Sequence, residues 1–99
     1  MDPEEAYVAS LSSCHMLFFL YLAGKRGLNV SSYQDEAIGE MAKEKDGREW
    51  IARVTLRPRV AFDGDVQPSR EDLASLHHEA HELCYVANSV KSEVLVETG

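Results

Sequence analysis

Residues 2–27 read Asp-Pro-Glu-Glu-Ala-Tyr-Val-Ala-Ser-Leu-Ser-Ser-Cys-His-Met-Leu-Phe-Phe-Leu-Tyr-Leu-Ala-Gly-Lys-Arg-Gly, and the fold turns on how this stretch begins, fills and ends. Asp2 predicts an N-cap, Pro3 the first helical position, and Glu5 a capping-box partner three residues on. The helix is expected to run to about Gly24. Gly24 and Gly27 flank Lys25 and Arg26 there: glycine accepts a left-handed cap, and the cations complement the negative end of the helix dipole. The last turns, Met16 to Ala23, are apolar all round, so other elements are expected to cover them on every side, which makes this the central helix. A bilayer span takes about 20 apolar residues, and this run has eight. It therefore reads as a buried helix and not as a membrane anchor.

Working outward, Ser32 to Glu44 is weakly patterned and meets a hairpin-turn signal at Asp46-Gly47. The clearest strand follows. Trp50, Ala52, Val54, Leu56 and Val60 fall on one face and Arg53, Thr55, Arg57 and Arg59 on the other, the period-2 alternation of a half-buried sheet. Pro58 marks an edge or a bulge. After Asp63-Gly64-Asp65, Ser69 and Asp72 predict a capped second helix whose apolar stripe is Leu73, Leu76, Ala80, Leu83, Cys84 and Ala87. A short strand from Ser92 to Thr98 ends the chain. The order α-β-β-α-β, without repeats, predicts a single α+β domain over residues 1–99, its central apolar helix packed on an antiparallel sheet. Three strands are a thin cover for such a helix. A partner subunit or an N-terminal segment is expected over Phe18, Phe19, Leu20 and Tyr21, since that patch would otherwise aggregate.

Composition narrows the function classes. With 99 residues, 10 basic and 17 acidic side chains and a formal charge of −7, the chain has room for one small domain and lacks the clustered cations that hold a phosphate backbone. No nucleic-acid partner and no membrane partner is expected. Two cysteines, Cys14 and Cys84, are too few for a secreted disulfide framework, and the acidic start does not suit a signal peptide. The expected location is the cytoplasm.

Few residues carry chemistry. Each cysteine lies on a predicted helix beside apolar neighbours, where inert structural cysteines also lie, so a redox role and a packing role both stay open on the residues alone. His81 and His77 stand three and seven positions before Cys84, and a protonated histidine there would favour a thiolate; His81 serving only as a cap or hydrogen-bond partner is the alternative. His77 and His81 are spaced i, i+4, but the zinc-protease pattern would need a histidine where Glu82 stands, so no metal site is expected. Arg53, Arg57 and Arg59 could hold an anion or form a solvated face. Among nucleotide and hydrolase signatures, a Gly-rich phosphate loop, GxSxG and the dinucleotide fingerprint are all missing from the sequence.

Two blocks do carry a resemblance. The run from Asp2 to Leu20 around Cys14, and His77 to Val94, His-His-Glu-Ala-His-Glu-Leu-Cys-Tyr-Val-Ala-Asn-Ser-Val-Lys-Ser-Glu-Val, resemble the OsmC/Ohr family of osmotically inducible and organic hydroperoxide resistance proteins. The resemblance implies an intertwined homodimer with active sites at the subunit interface and a thiol-dependent peroxidase. By the same resemblance Cys14 is the peroxidatic cysteine, Cys84 the resolving one, and Glu4 the active-site glutamate. Cys14 would pass through a sulfenic acid and then a Cys14–Cys84 disulfide, which an external dithiol reduces, with no bound cofactor. Leu11, Leu17 and Phe18 would suit an organic hydroperoxide. Ten residues of helix put Glu4 about 15 Å from Cys14, so Glu4 is expected to act across the dimer. Family members also begin with strands that swap between subunits and carry an arginine that activates the thiolate. This sequence starts at the helix, so that segment and its cation are expected to be lacking, with Arg53, Arg57, Arg59 or a histidine as the hypothetical substitutes. Two functions follow: a cysteine peroxidase, or a noncatalytic dimeric binding module that keeps the fold.

Overall fold

The computed structural model describes residues 2–98. Its first element, helix α1, spans Pro3–Lys25, with Asp2 accepting the Glu5 amide at 2.7 Å as the N-cap. The helix closes at Arg26, and Gly27, at φ +74°, turns the chain out of it.

Strands β1 (Asn29–Asp35), β2 (Ile38–Lys43), β3 (Glu49–Leu56) and β4 (Pro58–Asp63) follow as one long antiparallel hairpin bent in the middle. Its tip is the expected turn: Gly47 sits at φ +89°, and Asp46 accepts the Arg48 amide at 3.0 Å. The bend divides the hairpin into two sheets. One is β1–β4; the other is β2–β3–β5, in which β5 (Glu93–Val96) runs parallel to β3. The single strand expected over Trp50 to Val60 is therefore two strands, and so is the weakly patterned run before the turn. Pro58 lacks an amide to donate to a ladder, and Asp35 instead accepts the amide of Arg57 at 2.6 Å where the chain passes between sheets. The expected antiparallel sheet holds for both halves of the hairpin, and the parallel β5 is added to it.

Helix α2 (Arg70–Leu83) opens with the predicted capping box, Ser69 and Asp72 each accepting the other's backbone amide. Leu76 and Ala80 are buried as expected, but Leu83 is exposed and His77 takes an interior place instead. Thr55, expected on a solvated face, is also buried, because β3 is the middle strand of its sheet.

Helix α1 serves both sheets. Its C-terminal half packs Phe19, Leu22 and Ala23 with Leu28, Leu76 and Ala80 under β1–β4. Its N-terminal half packs Leu11 with Val54 and Leu56 of β3. Burying Phe19 completely is worth about 2–3 kcal/mol. By length and composition α1 could cross a bilayer, but this buried stripe makes it the core helix of a folded domain. The opposite stripe is not covered. Leu17 and Tyr21 are 61% and 60% exposed, so the expected all-round cover is not supplied within one chain.

Candidate active site

Cys14 and Cys84 meet where α1 crosses the end of α2. Cys14 is half-buried in the middle of α1; Cys84 is buried and forms the C-cap of α2, its extended backbone (φ −62°, ψ 112°) ending the helix. Both are free thiols, and Cys14 is near enough to Cys84 to help raise the pKa of its thiol. Burial, and then Cys14, push the Cys84 thiol up to about 11, so at neutral pH Cys84 is a protonated donor. The segment after it is held by Asn88, whose amide donates to the Cys84 carbonyl at 3.0 Å.

Cys14 opens into a cleft of about 670 Å³ lined by Ser10, Ser13, Leu17, Phe18, Tyr21 and Tyr85. Six of the seven lining positions, counting Cys14, belong to α1 at 10, 13, 14, 17, 18 and 21, which is one helical face. Phe18 meets Tyr85 edge-to-face, ring centroids 5.1 Å apart. Leu17 and Phe18 were expected here; Leu11 was too, but it is fully buried against β3. Ser10, Ser13 and Tyr21 were legible only from their spacing on the helix around Cys14, and Tyr85 only as the neighbour of Cys84.

None of the proposed activating charges reaches this cleft. Among the described residues its lining holds no Arg, Lys or His. Arg53 pairs with Glu93 and Glu40, and Arg57 with Glu97. Arg59 is exposed on β4, outside the cleft's lining.

The histidines are arranged differently from the expected row beside Cys84. His15, next to Cys14 in the chain, and His77 of α2 are each 1% exposed. His15 Nε2 and His77 Nδ1 are 2.9 Å apart, and the rings stack 5.2 Å apart at 8°. Phe19 stacks on His77 at 4.4 Å. Burial drives both imidazoles down to about 4, helped for His15 by His77 and His81 and opposed by Asp35. Both are neutral at pH 7 and supply no positive charge to a thiolate, which corrects the reading of His77 as an activating imidazolium. His81 is half-buried with Nδ1 unpartnered. Among the described residues no group of three or more His, Cys, Asp or Glu side chains has metal-binding geometry.

Glu4 is exposed in the first turn of α1 and lines a separate cleft of about 690 Å³ with Asp2, Glu5, Ser12 and Asp35. The slightly larger of the two clefts thus holds no thiol. The structure brings Cys14 and Cys84 together and leaves Glu4 apart from both.

Three comparisons bear on this arrangement. A family model described as OsmC-like protein matches residues 1–99. Among solved structures, an OsmC-like protein of unknown function from Vibrio cholerae is 49% identical with a TM-score of 0.94, covering 98% of this chain. The chain spans 63% of that protein's chain. An OsmC-like protein from Mycoplasma pneumoniae is 13% identical with a TM-score of 0.81, over 98% of this chain and 70% of its own. The organic hydroperoxide resistance protein OhrB of Bacillus subtilis is 23% identical with a TM-score of 0.79, over 98% of this chain and 69% of its own. These last two likenesses show the fold. No curated protein matches the chain.

Proposed function

The chain belongs to the OsmC-like protein family, and on that premise we propose that it is a thiol-dependent peroxidase for organic hydroperoxides, acting in oxidative or osmotic stress defence. The observation that carries this reading is a pair of neighbouring free thiols, of which Cys14 lines an apolar cleft and Cys84 is buried. The Cys14 thiolate attacks the terminal oxygen of R–O–O–H; the O–O bond breaks, the alkoxide takes up a proton and leaves as alcohol, and Cys14 becomes a sulfenic acid. The Cys84 thiol then attacks that sulfur. A Cys14–Cys84 disulfide forms, and the Cys84 proton leaves with the hydroxyl as water. A dithiol reduces the disulfide to two thiols. Keeping Cys84 protonated suits the order of events, since only Cys14 then competes for peroxide.

Leu17, Phe18, Tyr21 and Tyr85 would bind the organic substituent. The exposure of Leu17, Tyr21 and Tyr85 (74% for the last) supports a homodimer that covers this face, and a second subunit is also where Glu4 and an activating cation would come from. Light scattering at micromolar concentration tests that assembly; a monomer would overturn it. The protein is proposed to work in the cytoplasm with an external dithiol and without a bound cofactor. The cation-free lining of the cleft favours the second reading, a dimeric binding module without turnover. Consumption of cumene hydroperoxide in dithiothreitol decides between them: the peroxidase turns over repeatedly and Cys14→Ser does not, whereas the binding module leaves the peroxide intact in both.

A further inference from the structure

The peroxidase reading does not use His15 and His77, although they are among the most deeply buried ionisable groups and join the same two helices as the cysteines. Cys14 and His15 are consecutive on α1, and their partners on α2 are seven residues, or two turns, apart. The crossing of α1 over α2 therefore carries, besides the apolar core that joins Phe19, Leu22 and Ala23 to Leu76 and Ala80, one buried imidazole hydrogen bond at His77, a single residue along α1 from Cys14. Apolar packing is non-directional, whereas a hydrogen bond between two buried rings has a preferred angle and so sets how the helices cross beside the cysteines.

We propose that the His15–His77 pair is a positioning device for the two cysteines: neutral and hydrogen-bonded, it holds α1 across α2 so that Cys14 and Cys84 stay within bonding reach, and its protonation releases that crossing. This rests on the proposed role of Cys14 and Cys84 as a disulfide pair. The hydrogen bond needs one ring nitrogen bearing a proton and one bare. The groups facing the pair do not welcome charge. From α2, His81 adds repulsion to His15; from β1, Asp35 attracts it but already accepts from Ser12 and the Arg57 amide. Tyr33, also on β1 and packed on Phe19, has a buried hydroxyl without a partner, pushed up by burial and by Asp35. Val94, Leu95 and Val96 of β5, and Thr98 beyond it, line the cleft beside His77, and His78 there is paired with Glu82. A first proton leaves a buried cation with one shared counter-charge. A second puts N–H against N–H and breaks the bond outright.

The same geometry specifies a pair that cannot titrate. Gln carries an amide near the position of an imidazole Nε2 and Asn near that of Nδ1, so His15→Gln with His77→Asn keeps a donor and an acceptor at the contact at every pH. The test is equilibration of the reduced protein with oxidised glutathione, in which two protein thiols give up two hydrogens to form the disulfide and one glutathione disulfide becomes two thiols. A small selenol keeps exchange fast in acid, and circular dichroism confirms folding at each pH. The wild type is expected to lose at least about tenfold in effective thiol concentration from pH 7 to pH 4, a change of about 1.4 kcal/mol, while the double variant changes less than about twofold. A wild type with no such fall, or a double variant that falls in parallel, would overturn the proposal. The assay uses no peroxide. A peroxide-inert protein with the expected pH profile therefore sinks the peroxidase reading alone, an active one with a flat profile sinks the positioning role alone, and failure to form any disulfide sinks both.

Discussion

Cys14 and His15 are neighbours on one helix and each reaches across to the same second helix, yet the two contacts they make have opposite characters. Cys14, half-buried, lines an open cleft while Cys84 is buried; both imidazoles are buried, with Phe19 stacked on His77. A step of one residue turns the side chain by about 100° around a helix, enough to carry it from a reactive surface into a core. Burial then decides the chemistry. It keeps the histidines neutral and Cys84 protonated, which leaves Cys14 as the thiol that opens into the cleft.

Replacing that thiol should have the largest effect. Cys14→Ser is expected to lower peroxide consumption on the order of a thousandfold or more, measured as loss of cumene hydroperoxide in dithiothreitol, while Cys84→Ser should trap the added oxygen on Cys14. Equal loss of the first oxidation step in both variants would erase the distinction between the two thiols. Next comes the buried pair. His77→Ala leaves a cavity and strands His15 Nε2, and is expected to cost roughly 3 kcal/mol in urea unfolding.

The pH dependence sharpens the same contrast. Both imidazoles titrate lower in the folded chain than in the unfolded one, so between about 4 and 6.5 the unfolded state binds more protons. Their contribution is fully present above pH 6.5 and declines as pH falls toward 4, on the order of 3 kcal/mol for each imidazole. A stability that stays level from pH 7 to pH 4 would mean that the pair is not buried. On the cleft side, Tyr85→Ser removes an apolar wall and should raise the KM for cumene hydroperoxide roughly tenfold with less change for hydrogen peroxide. The smallest effect is expected away from both pairs: Asp2→Ala loses the α1 cap for about 1 kcal/mol in thermal unfolding, with both thiol chemistries intact.

Local signals were the ones the sequence displayed. Asp2, Gly27, Asp46-Gly47 and the Ser69–Asp72 box each act within a few residues of themselves, and each sits where the pattern places it. The strands were harder. In β1 only Val30, Tyr33 and Asp35 are even half-buried, so its alternation is faint, and the split at Arg57-Pro58 depends on Asp35, 22 residues away. Of the candidate site, the cysteines and their cleft mates Leu17 and Phe18 could be named from sequence. The imidazole pair could not, because His15 and His77 are 62 residues apart and nothing local distinguishes a buried histidine from a solvated one.

Whether Cys14 and Cys84 form a peroxide-driven redox pair is read from intact mass after one equivalent of cumene hydroperoxide. The reduced wild type is expected to lose two hydrogens within the mixing time, with peptide mapping finding a Cys14–Cys84 bridge. A wild type that keeps its mass, or that gains oxygen at Cys14 without closing on Cys84, would contradict that pairing.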